Sequence, residues 1–131
     1  MTQLANACPF CNPSPQRVVI EGVAAMALWD SYPLNPGHVL IVPRRHVASW
    51  FETTAAERDE MLRLADDARR IVAEKHRPNA FNLGINDGPE AGQTVPHLHL
   101  HLIPRYSGDV PDPRGGVRWI IPDRAPYWND P

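Results

Sequence analysis

From His97 to Leu102 histidine and leucine alternate without a break, inside the run Gly92-Gln93-Thr94-Val95-Pro96-His97-Leu98-His99-Leu100-His101-Leu102-Ile103-Pro104-Arg105. Side chains of an extended chain alternate faces, so Leu98, Leu100 and Leu102 fall on one side and three imidazoles on the other. Neighbouring imidazoles are then expected two residue rises, about 7 Å, apart along one line. Burying the leucines is worth a few kcal/mol, whereas nothing in folding asks for three histidines in register. The leucine face is the core side and the histidine face a chemical surface.

Three aligned imidazoles admit three readings. Histidine is the commonest metal ligand, so they can be a metal site. One neutral imidazole can attack as a nucleophile while its neighbours orient it and move protons. The plainest reading is a polar strand face meeting water, which chance rarely builds from three of only six histidines in the chain. The upstream residues favour chemistry at phosphorus. Asn86-Asp87-Gly88-Pro89-Glu90-Ala91-Gly92-Gln93-Thr94 is a glycine-bearing loop with amide and hydroxyl donors, able to bring backbone N–H groups close to an anion. A purely metal-centred enzyme would need all three histidines on one ion, which residues in line on a flat strand reach poorly.

Both cysteines lie in Cys8-Pro9-Phe10-Cys11. Two cysteines at this spacing, with no others, are no disulfide framework; they are half of a tetrahedral zinc site or a pair of ordinary thiols. A redox motif would need a thioredoxin-like strand and helix around it, which the flanking residues do not suggest. Asp30, before Ser31-Tyr32-Pro33-Leu34-Asn35-Pro36-Gly37, reads by itself as a turn residue. His38 opens the apolar stretch His38-Val39-Leu40-Ile41-Val42-Pro43, and Arg44 and Arg45 after it read as solvated surface.

Asn86 to Arg105 resembles the signature of the histidine triad family, His-φ-His-φ-His-φ-φ with φ apolar, which His97 to Ile103 matches at every position. Asp87 to Val95 is similar in particular to the fragile-histidine-triad branch, which cleaves dinucleoside polyphosphates, and Tyr106-Ser107-Gly108-Asp109-Val110 resembles the segment that follows the triad there. The resemblance spans roughly residues 8 to 122. It implies attack by His99 Nε2 on an α-phosphorus, giving a nucleotidyl-histidine that water resolves. His97 would hold the far nitrogen of His99 protonated through its backbone carbonyl, and His101, Gln93, Thr94 and backbone N–H groups near Gly92 would stabilise the phosphoryl oxygens. His38 would lie behind the triad, with Asp30 and Asn86 on the ribose. The resemblance further implies structural zinc on Cys8, Cys11, His46 and His97, a divalent ion such as magnesium on the substrate, and a homodimer whose sheets join edge to edge. Nucleoside phosphoramidates, aminoacyl adenylates and adenosine phosphosulfate present the same α-phosphate, and a nucleotide-binding signalling protein with vestigial cleavage is the rival from another class.

The elements that must position these groups are legible around them. Residues 17–21 and 23–29 read as a hairpin about Gly22, 38–43 as a buried strand, 80–85 as a strand leading into the Asn86 loop, and 117–121 as a short strand. Thr54-Ala55-Ala56-Glu57 is a capping box, and Met61, Leu64, Ala65, Ala68, Ile71 and Val72 recur at helical steps up to Arg77-Pro78. His76 suits that helix's last turn, and Trp29, Trp50, Trp119 and Trp128 suit core or interface. The expected fold is a single α+β domain over 1–131, with its core at about 8–122 and an extended tail from 106. It comprises an antiparallel sheet of about five strands, one long helix, and a shorter helix near the start or around Trp50.

At 131 residues and net charge −2 the chain suits one domain and has no basic surface for duplex nucleic acid. With no membrane-length apolar run and no signal-like start, the reading is soluble and cytoplasmic, and the resemblance implies a purine nucleotide as substrate. The 15 prolines fall outside the periodic segments and suggest rigid loops.

Overall fold

A computed structural model describes residues 8–130; the outermost domain limits, 1 and 131, lie outside the described residues. Five strands form one antiparallel sheet: β1 (Val18–Glu21), β2 (Ala25–Trp29), β3 (Val39–Pro43), β4 (Ala80–Ile85) and β5 (Leu100–Arg105). Their order is β1-β2-β3-β5-β4, so the strand carrying the last triad histidine lies between β3 and β4. Leu40 pairs with His101 on one side, and Gly84 pairs with His101 on the other.

Helix α1 (Ala55–His76) starts on a complete capping box, the Thr54 hydroxyl accepting from Glu57 N–H and the Glu57 carboxylate from Thr54 N–H. It ends at Arg77, which adopts a left-handed conformation before Pro78 and donates its N–H to Ala73 O. Met61, Leu64, Ala65, Ala68 and Val72 pack on Ala25, Ala27, Val39, Ile41, Leu98, Leu100 and Leu102. The alanines of β2 leave room for a close helix, and buried Glu60 reaches past them so that its Oε2 accepts from Ala24 N–H (2.6 Å) and Ala25 N–H (2.7 Å) at the hairpin turn. Ile71, expected in the stripe, lies at its margin and is exposed.

The Pro-Gly-His approach to β3 has a steric reason. Gly37 has φ +90°, and a Cβ there would come within 2.8 Å of Val72 Cγ1 and 2.9 Å of the His76 ring. Only glycine lets the chain pass under the end of α1 and deliver His38 to the strand.

Three expectations change. The triad is not one regular strand: β5 begins at Leu100, and His97 and His99 precede it. Pro96 supplies no N–H, and Leu98 N–H goes to Val47 O (2.7 Å) instead of to a sheet partner. The alternation of faces survives, since Leu98 still joins the helix-side core. Second, the histidine face is covered by an apolar layer of Cys8, Phe10, Met26, Leu28, Leu40 and Val42, so the sheet is buried on both sides where β2 and β3 cross it. Third, the stretch expected as a strand over 117–121 is a 3₁₀ helix, Gly116–Ile120. Gly115 and Gly116, both at positive φ, and Pro122 turn the chain before it can pair with an edge. The shorter helix expected near the start or around Trp50 takes the form of single 3₁₀ turns at both places, Pro15–Arg17 and Trp50–Glu52.

Candidate active site and metal centre

The approach to β5 gives His97 three contacts on three different atoms. Its Nε2–H donates to Pro43 O at the end of β3 (2.8 Å), which leaves Nδ1 as a bare lone pair. That nitrogen stands 3.4 Å from Cys8 Sγ, 3.5 Å from Cys11 Sγ and 3.1 Å from His46 Nδ1, while Cys11 Sγ and His46 Nδ1 are 3.1 Å apart. Zinc with Zn–N near 2.0–2.1 Å and Zn–S near 2.3 Å holds its tetrahedral ligand atoms about 3.3–3.8 Å apart. The four side chains, with ligand atoms all within 4.8 Å of one another, can therefore hold a metal ion. The Pro43 carbonyl fixes the tautomer that such a ligand needs. Without a cation, burial and the neighbouring Cys8 thiol push the Cys11 thiol up to about 11.

The third contact of His97 is made by its backbone. Its carbonyl oxygen accepts from His99 Nδ1–H at 2.8 Å. The His99 proton is thereby fixed on Nδ1, and Nε2 carries a free lone pair. Phe10 closes one flank of both rings, its centroid 5.0 Å from His99 and 5.8 Å from His97. The His101 ring also closes in, 5.1 Å from His99, nearer than the 7 Å expected of a flat row.

A second chain of contacts orients His101. Leu34 N–H donates to His38 Nδ1 (3.1 Å), so the His38 proton sits on Nε2. From there it points to His101 Nδ1 at 3.0 Å and to Asp30 Oδ2 at 3.3 Å. His101 accepts on Nδ1 and keeps its own proton on Nε2, a donor next to the lone pair of His99. Burial, then the nearby His99 and His38 rings, push the pKa of His101 down to about 4, and burial also lowers that of His38 against the opposing pull of Asp30. Both rings are neutral at pH 7. Asp30 Oδ1 accepts from Tyr32 N–H (2.9 Å), so this carboxylate shapes its own turn and faces His38 as well as solvent.

The loop from Asn86 to Thr94 is held by its own side chains. Asp87 Oδ2 accepts from Ser49 Oγ–H (3.1 Å) and Trp50 N–H (2.9 Å). Gln93 accepts from Gly88 N–H (2.8 Å) and donates to Ala48 O (2.9 Å) and Val95 O (3.1 Å). Gln93, expected on phosphoryl oxygens, spends its carboxamide on the loop in this structure; Thr94 is exposed, and Gly92, at φ +96°, closes the turn. Asn86 and His101 instead border a cavity of about 660 Å³ against β4 and the chain after residue 108.

Arg44 and Arg45 are less free than expected. Arg44 donates to Gly22 O (2.8 Å), and Arg45 grips both oxygens of Glu57 (2.8 and 3.1 Å). Sequence reasoning missed Phe10 as a wall of the triad, although an aromatic residue held between two paired thiols is itself a signal. It also missed Val117 and Trp119 as cavity walls, for which no period or motif gave warning.

Comparison with known proteins agrees with this geometry. The HIT domain family model matches residues 12–108. AP-4-A phosphorylase of Mycobacterium tuberculosis is 39% identical over 94 residues, 71% of this chain and 48% of that protein. The bifunctional bis(5'-adenosyl)-triphosphatase/adenylylsulfatase FHIT of Arabidopsis thaliana is 38% identical over 95 residues, 72% of this chain and 53% of its own. A Zn-bound histidine triad family protein of Mycobacterium smegmatis superposes with a TM-score of 0.71 at 28% identity, covering 88% of this chain and 91% of that one. The chain belongs to the HIT family. It spans about half the length of the curated relatives it matches.

Proposed function

We propose that this single domain cleaves dinucleoside polyphosphates at the α-phosphorus through a nucleotidyl-histidine on His99. The observation that supports this most directly is the bond from His99 Nδ1–H to the His97 carbonyl, which leaves Nε2 as a lone pair inside a ring of neutral groups. In the first step a bond forms between His99 Nε2 and the α-phosphorus, and the bond from phosphorus to the bridging oxygen breaks. His101 Nε2–H is placed to hydrogen-bond the phosphoryl oxygens or give its proton to the departing one. In the second step an oxygen nucleophile bonds to phosphorus and His99 departs. Water as acceptor releases a nucleoside monophosphate; inorganic phosphate would release the diphosphate. The names of the two curated relatives, a phosphorylase and a triphosphatase, cover both acceptors. Asp30 and Asn86 would take the ribose side, the loop N–H groups and Thr94 the phosphates, and a magnesium ion would accompany the polyphosphate.

In the same reading Cys8, Cys11, His46 and His97 hold structural zinc, since four protein ligands leave no position for water. The ion would cross-link the amino-terminal turn to the approach of β5 and takes no part in the chemistry. The protein would act in the cytoplasm as a homodimer joined through a sheet edge, β4 being the edge strand next to β5.

Rapid quench with diadenosine triphosphate, followed by mass spectrometry, should find one adenylate on the peptide carrying His99. His99→Ala should lose the chemical step by several powers of ten with nucleotide affinity little changed, and His101→Ala should lose less. Adding phosphate separates ADP from AMP as product. Chemistry that persists at full rate in His99→Ala sinks the proposal.

A further inference from the structure

One wall of the cavity beside His101 comes from outside the family domain. The HIT match ends at residue 108, yet Val110, Val117 and Trp119 face His101, Asn86 and Ile103 across the same space of about 660 Å³. This wall is fixed in place. Arg105 and Asp109 form a two-point ion pair (2.8 and 2.9 Å), and Asn35 Nδ2–H donates to Asp109 (2.8 Å), which pins the start of the tail. Trp119 Nε1–H donates to Arg114 O (2.7 Å), and the Arg114 guanidinium lies 4.5 Å over the Trp128 ring. Gly115, at φ +93°, passes so close that a Cβ would stand 3.1 Å from Trp128. A segment held this firmly nevertheless leaves apolar faces open around the cavity: Trp119 is 43% exposed, Val117 58% and Leu34 72%. An oriented indole with a free face suits the stacking of a base.

We propose that this cavity binds the leaving nucleoside of the substrate, with Trp119 as its stacking surface and Val117 and Leu34 as apolar walls. The inference rests on the proposed attack by His99. Phe10 packs against the His99 ring at 5.0 Å and is no part of the cavity, whereas His101, 5.1 Å from His99, borders it with Asn86, so the cavity adjoins the reacting side chain. The volume lies in the usual range for small-ligand pockets, roughly 300–1,000 Å³. The tail thereby selects among leaving groups and favours those that carry a base.

Two substrates with one retained half test it: diadenosine triphosphate, whose leaving group carries adenosine, and adenosine 5'-phosphoramidate, whose leaving group is ammonia. The ratio of kcat/KM for the first to that for the second should fall about ten-fold in Trp119→Ala, consistent with the loss of one stacked base. Trp119→Phe should restore most of the ratio. Val117→Asp, at an exposed position that tolerates the change in folding, should lower the ratio through a carboxylate placed in the wall. A loss shared equally by both substrates, or an unchanged ratio, overturns the inference. So does an unchanged ratio together with weaker self-association in sedimentation, which would assign the wall to a contact between copies. Failure of the wild-type protein to adenylylate His99 with either substrate overturns the His99 reading itself, a result distinct from all of these.

Discussion

His38 and His101 are neutral because of where they sit, and that has a consequence in acid. Burial leads the lowering at both, and His101 falls to about 4. An unfolded chain protonates these rings near pH 6.5. Between pH 6.5 and 4 the unfolded state therefore binds more protons than the folded one, and stability declines as pH falls through that window. Glu57 adds a second loss: Arg45 first, then Thr54 N–H, hold its carboxylate down to about 2, so its contribution is full above pH 4.5 and fades toward pH 2. Urea unfolding at a series of pH values should show both phases. His101→Asn should remove much of the upper one, and a flat response from pH 6.5 to 4 contradicts the lowering of the two rings by burial. The triad was legible from its types and spacing, whereas Asp30, His38 and His46 were placed only by the family resemblance; the structure gathers Cys8, Cys11, His46 and His97 in one group and Asp30, His38 and His101 in another. Which atom of each ring carries the proton was not legible for His38 and His101. That depends on Leu34 N–H and on Asp30 reaching His38 across the sheet-end turn, contacts no local pattern encodes.

At the scale of elements, helix and sheet share an apolar core, to which Glu60 adds a specific polar tie. Glu60→Ala strips the acceptor from two hairpin N–H groups and should cost about 2–3 kcal/mol, read as a lower Tm, with β1 the first part to exchange its amide protons. A loss below half a kcal/mol would mean water replaces the carboxylate. Gly37→Ala should be at least as damaging, since it combines positive φ with contact against Val72 and His76, and it should displace His38 as well. Helix α1 could be read from its capping box and period, and the strands from their apolar runs. The covering of the histidine face was readable too, from the unbroken apolar runs of Ala25 to Leu28 and Val39 to Val42, which a half-exposed sheet would not carry. The tail misled because Val117, Trp119, Ile120 and Ile121 have strand propensity; the two glycines before them and the proline after decide otherwise.

For the whole molecule, the cluster of Cys8, Cys11, His46 and His97 is the longest-range tie in the site, since Cys8 meets His97 from 89 residues away. If it holds zinc, elemental analysis should find one ion per chain, and Cys8→Ser should lower thermal stability before it lowers the rate of adenylylation. A chelated protein that stays folded should still form the His99 adduct; loss of all chemistry in that state would make the metal the catalyst. Sedimentation at micromolar concentration should show a dimer, because β4 otherwise leaves its outer edge unpaired among the described residues.

That 89-residue separation also sets an order of events during synthesis. Cys8 and Cys11 leave the ribosome before His97, whose imidazole follows Cys8 by 89 residues. Until then Cys8 and Cys11 are bare, adjacent thiols open to oxidants, and Phe10 between them has no ring to pack against. The folded contacts end that exposure together: His97 meets both thiols, Cys8 is buried, and the His97 carbonyl orients His99. His99 therefore gains its orientation only when the thiols meet His97, and a nascent protein whose thiols have already been oxidised should fold its sheet yet lack both the cluster and the wall that Phe10 provides.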